Sequence, residues 1–301
     1  MQQQEFFMTV LARFCAALWF TAAVQTAAAV EVVRIPRPEV HDDRRSVYAD
    51  QLLALALARC GTEYRIEHAG VTMNQERQVL ELEAGRMIDV APIPASPERE
   101  ARLLAIRIPV NRGMLGWRVG LIRRGDQARF ASLNSLRQLQ QLRVGQGQSW
   151  PDTEILRANG IPVVAGSAYL ALFNMLQGER FDYFPRGLTE VWDELAERSD
   201  RFEVESRVAL HYPYDAYFMV NRKATKLAAD IERGLNQAIA DGSFDKLFER
   251  YFGERLRRAR LHERVVIDLT NPLLTPGTAT PAERPELWYD FRRWPTKAKP
   301  K

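Results

Sequence analysis

The side chains best placed to do chemistry in this chain are arginines. Arg99, Arg107, Arg112, Arg118 and Arg186 all fall near the ends of segments patterned as strands. A guanidinium is a planar fork that matches a carboxylate with two parallel hydrogen bonds, so it suits small anions. Gly145-Gln146-Gly147-Gln148-Ser149 runs directly into a helix start at Pro151. Free N–H groups at a helix N-terminus attract anions, which makes Gly147 and Ser149 candidate ligand contacts. Asp152 and Glu154 in the first turn compete for the same dipole. Tyr48, Trp117, Trp150 and Tyr214 are candidate aromatic walls, each with plain core packing as the alternative.

Enzyme signatures are mostly missing. There is no G-x-S-x-G, no P-loop and no H-E-x-x-H, and the loop at Gly145 lacks the third glycine of a dinucleotide site. His41, His68, His211 and His262 form no pair at ligand spacing, so neither a metal nor a cofactor is expected. The net charge is +4, but basic and acidic residues are mixed. No Lys/Arg run interleaves with aromatics, so nucleic acid is not an expected partner. At 301 residues, 46% hydrophobic and 27% charged, the chain is long enough for a large core and has ordinary globular composition.

The N-terminus reads as an export signal, residues 1–29. An apolar run from Phe14 to Val24 precedes Ala27-Ala28-Ala29, which fits an A-x-A cleavage site. The run is short for a membrane span of about 20 residues. Cleavage would leave Cys60 as the sole cysteine, so an intramolecular disulfide is excluded. Cys60 ends a helical pattern just before Gly61 and reads as a small buried hydrophobe.

Several elements must position these groups. Val30–Ile35, Tyr64–His68 and Ile88–Ala91 read as strands, alternating with helices over Ser46–Arg59 and Met73–Ala84, the latter stopped by Gly85. This alternation predicts a parallel α/β sheet. A second unit follows with Trp117–Arg123 as a long strand, helices near Ser132, Pro151–Asn159, Ala168–Leu176 and Leu188–Arg198, and short strands between them. Pro213 divides Ala209–Val220 into two extended pieces. Leu227, Ile231, Leu235 and Ile239 then form one apolar stripe on a helix. Asp241-Gly242 breaks it, because glycine accepts the left-handed conformation of a C-terminal cap. Ser243 is placed to cap a second helix, in which Phe244, Leu247, Phe248, Tyr251 and Phe252 share a face and which Gly253 ends. Beyond Arg255 the chain becomes proline-rich, with Val265–Leu269 strand-like and Trp288-Tyr289 as an aromatic anchor.

The closing wording, D-G-S-F-D-K-L-F-E-R-Y-F-G after a long helix, resembles the last segment of the family 3 periplasmic solute-binding proteins. The resemblance covers about residues 30–253. It implies the type II periplasmic-binding fold, two α/β lobes joined by a two-strand hinge. Residues 30–121 and 213–253 would make lobe 1, residues 122–212 lobe 2, and residues 254–301 an extended C-terminal tail. It also implies a monomer in the periplasm that captures a solute between its lobes for an inner-membrane ABC permease or a sensor.

Pro92-Ile93-Pro94-Ala95-Ser96-Pro97-Glu98-Arg99 looks like the strand and loop with which that family grips a ligand carboxylate. Arg99 matches the gripping arginine and Ser96 the neighbouring hydroxyl. Pro92 and Pro94 replace the usual glycine and threonine, and proline supplies neither an N–H nor a hydroxyl. Phe181-Asp182-Tyr183-Phe184-Pro185-Arg186-Gly187 is similar to the family's second ligand segment. Asp182 matches its first acid, but the acid that holds a ligand ammonium falls at Gly187, with Arg186 beside it. That inversion of charge favours a small anionic, carboxylate-bearing solute over an ordinary amino acid. Two other readings stay open. One is a periplasmic enzyme on the same fold, dehydratase-like, with Asp182 or Glu98 as general acid. The other is an interaction or sensory module that keeps the fold without transport.

Overall fold

Val33 and Ile35 alternate with more exposed residues and bury one face of β1 (Glu31–Arg37), which pairs in parallel with β2 (Tyr64–Thr72). The structure is a computed structural model, and it describes residues 30–37, 44–148, 150–276, 278 and 283–291. The export signal read in residues 1–29 and the ligand contact expected at Ser149 lie outside the described residues. β3 (Val90–Pro94) and β4 (Leu103–Ile106) flank β11 (Ala216–Asn221), and both pair with it antiparallel. The start of β3 is stitched to β1, with Asp89 N–H donating to the Arg34 carbonyl at 2.8 Å. These strands make the first layer of the molecule. Helices α1 (Arg44–Leu57) and α2 (Gln75–Ala84) connect them. Gly85 ends α2 at φ 63°, where only glycine is unstrained. The short α3 (Pro97–Arg102) starts at Pro97 with Ser96 as its cap.

A second layer is built on β5 (Trp117–Arg123). It pairs antiparallel with β8 (Phe184–Gly187), β9 (Phe202–Val204) and β10 (Val208–His211). β6 (Val144–Gly147) and β7 (Val163–Gly166) form a parallel pair, joined to β8 through Gly145 N–H and the Tyr183 carbonyl at 2.9 Å. Helices α4 (Leu136–Leu139), α5 (Pro151–Ala158), α6 (Tyr169–Gln177) and α7 (Val191–Ala196) belong to this layer. Two crossings join the layers, residues 107–116 and 212–215. Both layers therefore combine parallel and antiparallel strand pairs rather than forming parallel sheets. The reason is connectivity: β11 returns from the second layer and enters between β3 and β4 against their direction. The α3–β4 segment escaped the sequence reading because its charged six-residue helix gives no useful periodicity.

The closing pair is α8 (Thr225–Ala240) and α9 (Ser243–Ala259). Gly242 lies between them at φ 70° and is itself the cap of α9, while Ser243 is already helical. Gly253 does not end α9 as expected. Leu256 and Ala259 continue the buried stripe one and two turns further, so packing outweighs glycine's low helix propensity. At Gly234 of α8 a methyl group would overlap the carbonyl oxygen of Ala56, so α1 and α8 approach at backbone distance. One buried apolar cluster runs from the first layer (Leu52, Val90, Phe218) through Phe248 of α9 into the second (Trp117, Phe184, Val191). Cys60 is buried in the same cluster. Among the described residues no helix is long and apolar enough to cross a membrane.

Candidate ligand-binding pocket

A pocket of about 410 Å³ opens between the two layers. That size suits a metabolite rather than a macromolecule. The end of β1 contributes Pro36 and Arg37, and α1 contributes Ser46, Ala49 and Asp50. Met73, Asn74, Gln75 and Gln78 come from the start of α2, and Pro92 and Pro94 from β3. The first crossing supplies Val110, Asn111 and Leu115, β11 supplies its first residue, Ala216, and the second layer adds Thr189. Among the described residues, apolar proline and aliphatic faces thus alternate with amides, hydroxyls, the Arg37 guanidinium and the Asp50 carboxylate.

Among the described residues the pocket is lined by one charged side chain of each sign, Arg37 and Asp50. Arg37 lines it, with Nε donating to the Ala69 carbonyl at 2.9 Å. The carboxylate of Asp50 meets His68 Nε2 at 3.0 Å, and burial raises its pKa against that bond. Arg99 stands one shell behind the wall. Its guanidinium donates to the Pro94 carbonyl at 3.0 Å and to Gln75 Oε1 at 2.8 Å, two groups that themselves line the pocket. Arg99 therefore orients the wall rather than lining it. Ser96 uses its hydroxyl to accept the Arg99 N–H at 3.3 Å and cap α3.

The other expected contacts are placed elsewhere. Arg186 is buried under Trp150 and Phe184, each ring centre 4.8 Å away, and is bound by Glu194 at 2.6 Å and Glu190 at 3.0 Å. Burial works against its charge, but the two carboxylates prevail and raise its pKa. A cation already held by two acids is not the second jaw of an anion clamp. Asp182 is also engaged. It receives Arg143 at 3.1 Å and Arg129 at 3.2 Å, and although burial pushes its carboxyl up, these bonds hold it below the usual range. Gly147 closes against the indole of Trp150, which fills the space beside its Cα. Tyr48 is a core residue, its hydroxyl donating to the Val110 carbonyl at 2.7 Å and its ring 4.8 Å from Phe252. Trp117 is buried between His211 and Phe291. Tyr48, Trp117 and Gly147 are thus structural, because the aromatics pack inside the layers instead of at the cleft face.

Arg118 is a further buried pair, 2.7 Å from Asp152 at the start of α5. Tyr212 hydroxyl donates to the same carboxylate oxygen. Asp152 thus serves Arg118 rather than leaving the α5 N-terminus open to a ligand. The residues that sequence reasoning missed are Arg37, Asn74, Gln75, Gln78, Asn111 and Thr189. No spacing within the chain relates them, since they come from separate elements. The one local signal was Asn74 before the α2 pattern, a position that caps the helix by accepting the Arg77 N–H.

No protein-family model matches the chain, and no curated protein matches it. Solved structures do. The L-cystine solute receptor of Neisseria gonorrhoeae, in an unliganded open conformation, aligns at 18% identity over 75% of this chain and 94% of its own, with TM-score 0.51. A binding component of an ABC transporter from Wolinella succinogenes, complexed with lysine, aligns at 14% over 73% and 95%, with TM-score 0.52. A Bacillus subtilis protein aligns at 15% over 79% and 95%, with TM-score 0.51. At these identities the likeness is one of architecture. The two-layered α/β body, the paired crossings and the closing helices together are the type II periplasmic-binding fold, which this chain shares, in divergent form, with the family 3 solute-binding proteins.

Proposed function

We propose that this chain is a periplasmic solute-binding protein that captures a small carboxylate-bearing solute in the pocket between its layers. The observation that carries the reading is the position of Arg37 in a metabolite-sized hollow, with Arg99 directly behind the same wall. Among the described lining residues Asp50 is the opposing charge, and its carboxylate lies 3.0 Å from His68 Nε2. The lobes are proposed to divide as residues 30–121 with 213–253, and residues 122–212. Delivery to an inner-membrane ABC permease or a sensor follows from the fold by analogy.

Binding is favoured over catalysis because the candidate general acids are engaged away from the pocket. Asp182 is held by arginines, and Glu98 is exposed on α3 beside Arg102. The test is a thermal-shift screen on refolded, ligand-stripped protein with monocarboxylates, dicarboxylates, amino acids and neutral sugars. A carboxylate at 100 times its Kd adds about 3 kcal/mol of stability, a rise of roughly 6–12 °C for a chain of this size. A screen in which only sugars or amines shift the melting temperature would overturn the reading.

A further inference from the structure

Helix α9 touches both layers. Its middle turns pack on the first: Phe252 lies 4.8 Å and Phe248 6.3 Å from the Tyr48 ring of α1. Its C-terminal half is bonded to the second. Trp192 of α7 donates its indole N–H to the Arg255 carbonyl at 3.1 Å. The Arg255 guanidinium donates to the Thr189 carbonyl at 3.3 Å and to Asp193 at 2.6 Å. The helix is unbroken from Ser243 to Ala259, which makes it a rod of roughly 25 Å.

The chain beyond α9 crosses back. β12 (Val265–Asp268) adds to β10 in parallel and so extends the second sheet. Thr270 and Asn159, the residue that follows α5, then exchange two hydrogen bonds, at 2.9 and 2.7 Å. Thr275 reaches Glu100 of α3 in the first layer at 2.5 Å. Trp288 covers Gly113 in one crossing so closely that a methyl group there would overlap its ring. Tyr289 N–H donates to the Arg112 carbonyl at 3.0 Å, and its hydroxyl to Glu249 of α9 at 3.1 Å. Phe291 wedges between Trp117 and Phe248.

Hinged closure needs the two crossings to be the main links between rigid bodies. Here a helical rod and a strap join the same bodies on top of those crossings, and the apolar core is continuous through them. We propose that α9 and the strap hold the two layers at one separation, so that the pocket is permanently formed and takes its solute without clamshell closure. Rotation of one layer would detach α9 from Trp192 and Asp193, strip Phe291 from Trp117 and expose core. A small solute could drive that rotation only through contacts it makes better in the rotated state.

The inference goes beyond the binding role and does not depend on which solute is bound. Its test is pulsed electron-spin distance measurement on the full chain, in a Cys15→Ala/Cys60→Ala background. Spin labels go at Leu80→Cys on α2 and Leu170→Cys on α6, residues 53% and 62% exposed. The expected result is one narrow distance distribution without ligand, unchanged by adding any carboxylate that raises the melting temperature. The Trp192→Ala/Asp193→Ala variant should broaden it at least two-fold. Two populated distances in the parent protein would overturn the proposal, as would a folded variant as narrow as the parent. If the variant fails to fold, the parent distribution decides alone.

Discussion

The Arg186 guanidinium sits 2.6 Å from the Glu194 carboxylate, with side-chain exposures of 5% and 7%. This pair joins β8 to α7 inside the second layer, and it explains why Arg186 is not available to a ligand. Removing Glu194 takes away the shorter of the two ion pairs of the buried Arg186 and leaves it with Glu190 alone. Glu194→Ala should therefore lower unfolding stability by about 3 kcal/mol, read by urea denaturation. Arg186→Met, which removes the cation and keeps much of the volume, should leave the carboxylate-induced thermal shift in place. Loss of that shift in a folded Arg186→Met protein would restore this arginine to the binding site.

Arg37→Ala makes the opposite prediction. It removes the guanidinium that lines the pocket at an exposed position, so stability should change by less than about 0.5 kcal/mol. Solute affinity should fall by about ten-fold to a hundred-fold, in line with about 1.5–3 kcal/mol for a charge-assisted bond. Titration calorimetry with the best carboxylate from the screen checks it. Arg37→Lys should recover only part of the affinity, because an ammonium cannot form the two-pronged contact.

Asp215 ties the two crossings together. Its carboxylate accepts the N–H groups of Asn111, Gly113 and Ala216 at 3.0, 2.5 and 2.7 Å. Burial nevertheless pushes its pKa up to about 6, against those bonds. A carboxyl raised in the folded state binds its proton more tightly there than in the unfolded chain. Its contribution is therefore full below the unfolded value near 3.9 and is lost as pH rises through about 6. The span of about two units corresponds to roughly 3 kcal/mol. Stability measured from pH 4 to pH 7 should show this fall in the parent protein. Asp215→Asn should flatten it, and an equal slope in both proteins would contradict the assignment.

Gly234→Ala separates helix propensity from packing. In an exposed helix interior the change would stabilise by about 1 kcal/mol. Here the added methyl meets the backbone carbonyl of Ala56 in α1, which cannot swing aside like a side chain. A net loss of about 2 kcal/mol is expected, measured by chemical denaturation. A gain would show that α1 and α8 do not approach as closely as described.

The elements were legible in the sequence wherever periodicity was long. The stripe from Leu227 to Ile239, the break at Gly242 and the stop at Gly85 could be read directly, because a helix's buried face and its left-handed terminus are local properties. The same wording carried the resemblance that pointed to the type II fold. Segments with short or charged patterns, such as α3 and β4, could not be read this way. Nor could the end of α9, where Gly253 argued for a stop and the buried Leu256 and Ala259 overruled it.

The chemistry of the site was decided in three dimensions. The sequence placed Arg99 and Arg186 near strand ends and matched Asp182 to a ligand acid by resemblance, but a charge's role depends on which partner reaches it first. Glu194 and Glu190 lie on the α7 side of Arg186, and Arg143 and Arg129 enclose Asp182, so both are spent inside the second layer. Arg37, Gln75, Asn111 and Thr189 come together only because two crossings and a returning strand fold distant segments around one hollow. Sequence by itself determined the long periodic elements such as α8, since a buried stripe depends on neighbours along the chain. Tertiary structure alone decided which charges remain free to meet a ligand, because that depends on neighbours in space.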